Sequence, residues 1–164
     1  MKVCKFGGTS MANGATVSQV IKIIDSDADR RFIVVSAPGK RNVTDVKITD
    51  ALYACYDEKK RNGNCSKSFE VVKKRFSDMV KSLDIDFDVF PALDDIKDRI
   101  ERSETSDYAA SRGEYLCARL LAAKLGFEFV DAADVIKFDD EGRLLTSYSL
   151  GLIKKRLDGV KYAV

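Results

Sequence analysis

The sequence predicts an α/β fold built on a parallel sheet, and three observations carry that expectation. A short apolar strand, Val3 to Phe6, leads through a loop into apolar residues at helical spacing. The next apolar run, "RFIVVSA", is continuous and of strand length, the pattern of a strand buried on both faces of a parallel sheet. That strand–helix–strand order is how parallel sheets are built. Third, from about Asp50 to Glu104 the pattern turns helical and highly charged, which reads as a helical excursion inserted into the sheet.

Each element follows from its residues. Gly7 to Gly14 is loop, and Val17, Val20, Ile21 and Ile24 then recur on one helical face. Pro38 and Gly39 stop the second strand. In the middle, Phe69, Val72, Phe76, Met79, Val80 and Leu83 form one apolar stripe, and Leu93, Ile96 and Ile100 form another. Asn62-Gly63-Asn64 is a turn between helices, and the charges around these stripes read as solvated faces. The alanine-rich stretch "DYAASRGEYLCARLLAAKLG" is a helix that stops at Gly126. "FEFVDAADVIKF" reads as two short strands, and Asp139 to Gly142 as a turn. Leu150, Ile153 and Leu157 mark a last helix closed by Gly159, and "VKYAV" begins a strand. The sequence stops inside that apolar run, which reads as a fragment of a longer enzyme.

Composition narrows the chemistry. The 164 residues are 45% hydrophobic and 33% charged, a globular balance in a chain long enough for one domain with a real core. A net charge of +2 makes no case for nucleic acid or an anionic membrane as partner. No stretch approaches the roughly 20 apolar residues that span a bilayer. The start lacks the apolar run of a signal peptide, so a cytoplasmic protein is expected. The cysteines are Cys4, Cys55, Cys65 and Cys117, none at metal-ligand spacing, and there is no histidine. Neither a zinc site nor a disulfide framework is expected. The usual general base and the serine–histidine and cysteine–histidine nucleophiles are excluded, leaving lysine, carboxylates, hydroxyls and backbone amides.

The opening stretch, Lys5-Phe6-Gly7-Gly8-Thr9-Ser10, uses that repertoire. The strand carries Lys5 to the sheet's carboxyl edge, where ligands bind in such sheets. Glycines let the backbone approach a phosphate, and their amides can point at anionic oxygens. Thr9 and Ser10 add hydroxyl donors, and the next helix offers its positive end. Together they form a cradle for polyphosphate, with Lys5 offsetting charge on a transferring phosphoryl group. The stretch is neither of the common Gly-rich fingerprints, because the lysine precedes the glycines.

Glu114 stands out independently. Its same-face helical neighbours Ala110, Ser111, Cys117 and Ala118 include no basic residue, so no intrahelical ion pair is available. A carboxylate on such a face needs a partner, and the amino group of an amino-acid substrate would serve. Gly113 beside it costs about 1 kcal/mol in a helix relative to alanine. That cost points to a close approach to the backbone there.

"KFGGTS" at the N-terminus resembles the signature of aspartate kinases, within the amino-acid kinase family. "FIVVSAPGK" is similar to the family's second strand and its Ser-Ala loop, "KITDAL" to the segment that follows, and "SRGEYLCARLLAAKLG" to its Ser-x-Gly-Glu helix. The resemblance spans nearly the whole chain and implies a three-layer αβα sandwich with a mainly parallel sheet, incomplete here. It implies that Lys5 contacts ATP phosphates and stabilises the transition state, and that Gly7, Gly8, Thr9 and Ser10 form the phosphate loop. It implies that Ser36, Thr49 and Glu114 bind the substrate aspartate. Thr49 is preferred to Thr44 because its Thr-Asp-Ala-Leu context leads into a helix; both precede an aspartate, so Thr44 stays open.

The reaction implied is ATP plus L-aspartate giving 4-phospho-L-aspartate and ADP, the entry to lysine, threonine and methionine synthesis. Mg2+ would bridge the phosphates, with no metal site on the chain itself. Aspartate kinases continue into a nucleotide-binding half and regulatory ACT domains. Residues 1–164 therefore read as the N-terminal lobe of the catalytic domain, inactive alone and oligomeric when full length. Two alternatives remain: another amino-acid kinase, acting on glutamate, acetylglutamate or carbamate, and a non-catalytic module that binds an anion or a partner.

Overall fold

The computed structural model describes residues 1–102 and 105–164. Strand β1 (Lys2–Phe6) pairs in parallel with β2 (Arg30–Val35), Cys4 opposite Ile33 and Phe6 opposite Val35. Between them runs α1 (Gly14–Asp25), whose start is fixed by a reciprocal cap. Asn13 Oδ1 accepts from the Thr16 amide at 3.0 Å, and Thr16 Oγ1 accepts from the Asn13 amide at 3.1 Å. Such caps satisfy amides that the first helical turn leaves unpaired.

The sheet continues beyond the regular strands. Ala163 donates to Arg31 O at 3.0 Å and accepts from the Ile33 amide at 2.9 Å. On its far side, Glu128 donates to Tyr162 O at 3.1 Å and Val130 to Val164 O at 2.9 Å. Both pairings are parallel, so the order across the sheet is β1, β2, residues 162–164, residues 128–130. The α/β class and the parallel sheet are those expected.

Two details differ from the sequence reading. Within β2, Ile33 and Val35 are buried but Val34 is 53% exposed. Side chains alternate across a strand, and Val34 shares an open face with Lys5, its partner in register. A continuous apolar run does not by itself reveal that one face lacks a cover. The stretch after α5 also departs in its middle: residues 128–130 pair in the sheet and Phe138 bridges Leu144 in antiparallel, but the residues between them are not a strand. Asp131 then caps a single turn, α6 (Ala132–Val135), accepting from the Ala133 amide at 2.9 Å. An aspartate followed by two alanines favours a capped turn over a strand.

The expected helical excursion is α2 (Ile48–Asn62), α3 (Ser66–Leu83) and α4 (Phe90–Arg102). Position 104, the end of that expected stretch, lies outside the described residues. Gly63, at φ 75°, turns the chain between α2 and α3 in a conformation that L-residues with side chains rarely adopt. Both apolar stripes are inside: Phe69, Val72, Phe76, Leu93, Ile96 and Ile100 are all at most 2% exposed. They join one core with Val17, Val20 and Ile24 of α1, with Ile33 and Val35, and with Leu116, Leu120 and Leu121 of α5 (Ser106–Leu125). Helix α2 packs on both α3 and α5, which ties the excursion to the sheet-bearing part of the molecule. The last helix, α7 (Thr146–Arg156), packs with α6. Among the described residues, no helix is long and apolar enough to cross a membrane.

Candidate functional site

Strand β1 delivers Lys5 to the carboxyl edge of the sheet, where its side chain is exposed. Its ammonium folds back over the following loop, 3.6 Å from the place a Gly7 β-carbon would occupy. Residues 7–12 make one tight turn, with the Met11 amide shared between Gly7 O and Gly8 O at 3.2 Å each. Met11 and Ala12, 0% and 2% exposed, root this turn in the core. Among the described residues, the amides of Gly8, Thr9 and Ser10 donate to no backbone carbonyl. A cation beside uncommitted amides is chemically an anion cradle.

The loop after β2 is knitted to this turn backbone to backbone. Gly39 N donates to Gly8 O at 2.8 Å. A β-carbon on Gly39 would stand 2.8 Å from Gly8 O, and one on Gly8 would stand 3.1 Å from Ala37 O. Two chains can approach this closely only where both lack side chains. In the same loop the Ser36 amide donates to Phe6 O at 3.0 Å. Pro38 O accepts from the Ile48 amide at 3.0 Å, which fixes where α2 begins.

Thr49 therefore lies in the first turn of α2, where it lines a cleft of about 830 Å³. Asp107, Ser111 and Glu114 of α5 line the same cleft, with Val34, Val35 and Phe129 supplying apolar wall. Thr44 stands elsewhere, in an exposed loop, its hydroxyl donating to Asn42 Oδ1 at 2.8 Å. Glu114 is half-buried and forms no ion pair with any described residue. Its charge reaches the fully buried Cys117 thiol, whose pKa is raised first by desolvation and then by Glu114. Gly113 packs against Ala37 and Ile48, the close approach its helical position implied.

The predicted residues thus fall into two groups. Lys5, near the end of β1, and Gly7, Gly8, Thr9 and Ser10, in the turn after it, make the first. Thr49 and Glu114 line the cleft from the packed helices α2 and α5, and Ser36 lies in the loop between, outside the residues that line the cleft. Ala37, next to Ser36, joins the two: its carbonyl abuts Gly8 of the turn and its methyl abuts Gly113, the neighbour of Glu114 on α5.

Arg75 was missed by the sequence reading. It sits on α3 and is 2% exposed. Its Nη1 donates to Ala12 O at 3.1 Å and to Gly39 O at 2.8 Å. Its Nη2 donates to Asp45 Oδ2 at 2.7 Å and to Val46 O at 3.1 Å. Asp45 is gripped in turn by Arg41, from Nε at 2.8 Å and Nη2 at 2.8 Å. The Arg41 hydrogen bonds, more than the charge of Arg75, hold the Asp45 carboxyl well below the usual carboxylate range. A signal existed: Arg75 interrupts the stripe between Val72, Phe76 and Met79, where a solvated charge is out of place.

The amino acid kinase family model matches residues 1–161. Aspartokinase 3 of Bacillus subtilis strain 168 is 33% identical over 153 residues, covering 90% of this chain and 34% of that protein. The crystal structure of Clostridium acetobutylicum aspartate kinase superposes with a TM-score of 0.96 at 44% identity, over 99% of this chain and 37% of that one. Escherichia coli aspartokinase III in complex with aspartate and ADP shares the fold at a TM-score of 0.71 and 20% identity, over 98% of this chain and 39% of that one. The chain spans about a third of the length of the curated relative it matches.

Proposed function

This chain belongs to the amino acid kinase family, and on that footing we propose that it supplies the phosphate-binding edge and part of the acceptor pocket of an ATP-dependent aspartate kinase. The reaction moves the γ-phosphoryl group of ATP to the side-chain carboxylate of L-aspartate, leaving ADP and 4-phospho-L-aspartate. The observation that carries this reading is the junction at Ala37, which sets the Lys5 turn and the Glu114 helix against one loop. The similarity to aspartate kinases, one of them at 44% identity, supports the choice of acceptor.

Phosphoryl transfer asks a protein mainly for positioning and for relief of negative charge. Lys5 supplies the cation beside the phosphoryl oxygens, and the Gly8, Thr9 and Ser10 amides supply donors that need no rearrangement. Glu114, which forms no ion pair with any described residue, takes the substrate's ammonium group. Thr49 and Ser36 offer hydroxyls to its polar atoms. Magnesium bound to the nucleotide would offset charge on the phosphates. Among the described residues no cluster of three His, Cys, Asp or Glu side chains could hold a metal.

The test is hydroxylamine trapping of the acyl phosphate with the protein that carries this chain. Aspartyl hydroxamate should form with ATP and L-aspartate, and not with glutamate or acetylglutamate in its place. Lys5→Ala should abolish it. Hydroxamate formed from glutamate instead, or full turnover by Lys5→Ala, would overturn the assignment.

A further inference from the structure

We propose that Arg75 is a positioning residue for the phosphate site, holding the loop after β1 and the loop after β2 in one arrangement from the helical excursion behind them. The inference rests on the phosphoryl-transfer reading above and assigns part of that site to α3.

Arg75 is far in sequence from what it holds: 63 residues from Ala12 and 36 from Gly39. One nitrogen, Nη1, bridges those two carbonyls, so a single atom spans both loops. The other, Nη2, reaches Asp45 and Val46 in the segment that leads into α2. Only a planar guanidinium offers donors in this fork; a lysine ammonium is a compact point charge with no fixed plane. The same two loops meet at Gly39 N and Gly8 O, on the cradle side. The phosphate turn is therefore gripped at both ends, by Gly39 at Gly8 and by Arg75 at Ala12.

A purely structural staple would not call for this residue. A buried ion pair is often no better for stability than apolar side chains of similar volume. What apolar side chains cannot do is fix the relative position of two carbonyls. Catalysis by positioning is sensitive to shifts of about 1 Å, and the turn gripped here carries the amides that would face the phosphates. The charges acting on the guanidinium are Asp45 at 2.7 Å, Arg41 beyond it and Asp78, so Asp45 and Asp78 balance Arg75 while Arg41 orients Asp45.

The experiment compares wild type, Arg75→Lys and Arg75→Met in the full-length protein that carries this chain. It measures ADP affinity by calorimetry, kcat and KM for ATP, and the unfolding midpoint of each. Arg75→Lys should keep the wild-type circular dichroism spectrum yet bind ADP at least tenfold more weakly, with KM for ATP rising in step. Arg75→Met should do the same or worse. If Arg75→Met does not fold, Arg75→Lys carries the test. A folded Arg75→Lys protein with wild-type ADP affinity and KM overturns the proposal, and so does a fall in unfolding midpoint alone. ADP binding needs no acceptor, so this readout stands even if wild type fails to phosphorylate aspartate, an outcome that would count against the proposed function instead.

Discussion

Gly113 and Ala37 touch where only a hydrogen fits: a β-carbon built on Gly113 would stand 2.6 Å from the β-carbon of Ala37. The same Ala37 presents its carbonyl oxygen to Gly8, 3.1 Å from where a side chain there would begin. The spacing between helix α5 and the turn after β1 is therefore set by one small residue held between two glycines.

Gly113→Ala tests that spacing. Alanine gains about 1 kcal/mol of helix propensity, but forcing a methyl into a packed contact costs about 1–3 kcal/mol. The Ala37 methyl sits on backbone and cannot swing aside, so a net loss of up to about 2 kcal/mol is expected. Urea unfolding reads it, and an unchanged or raised midpoint would show that the loop yields easily.

The acceptor side is tested by Glu114→Gln, Thr49→Val and Thr44→Val in the full-length protein. Losing a hydrogen bond to a charged group costs about 1.5–3 kcal/mol. Glu114→Gln should therefore raise KM for aspartate by about tenfold or more, leaving KM for ATP nearly unchanged. Thr49→Val should move the same constant, because Thr49 lines the cleft with Glu114. Thr44→Val should leave it alone, because that hydroxyl is engaged with Asn42 in an exposed loop. The reverse order between the two threonines would move the acceptor site away from the cleft.

Asp45 makes stability depend on acid. Its folded pKa is depressed, chiefly by hydrogen bonds from Arg41. A depressed carboxyl contributes stability that is complete above its unfolded pKa, near 3.9, and is lost as pH falls toward the folded value. The urea midpoint of the chain should thus drop steadily below about pH 4. Asp45→Asn should be less stable at pH 7, with its deficit shrinking as the pH is lowered. A deficit that stays constant down to pH 2 would mean that the carboxylate's charge contributes nothing.

The thiols make a simple probe of packing. Cys55, Cys65 and Cys117 are 0% exposed, whereas Cys4 is half-buried. Burial also raises the pKa of Cys117, which removes the reactive thiolate. An aromatic disulfide reagent should label Cys4 alone in the native chain and all four cysteines in guanidinium. Rapid labelling of Cys117 would show that α5 does not pack as described.

Local signals were legible wherever one segment carried them whole. The stripe from Phe69 to Leu83 repeats within a single helix, and Gly63 and Gly126 stop helices through their own backbone freedom. "KFGGTS" places a cation and bare amides within six neighbouring residues. The stretch "FEFVDAADVIKF" is paired as extended chain near both ends, at Glu128 and Phe138, but its middle was misread, because the strand propensity of the aromatic residues hid the cap at Asp131.

The sequence alone determined the α/β class, the glycine turn after β1 and the isolation of Glu114 on its helix, since each depends on residues within a few positions of one another. Tertiary structure alone decided which threonine lines the cleft, that one face of β2 stays open, and that Arg75 is buried against the loops after β1 and β2 rather than among the solvated charges around it. Those facts depend on contacts such as Arg75 to Ala12, separated by 63 residues. No local period records such a contact, because only the closed chain brings the two ends together.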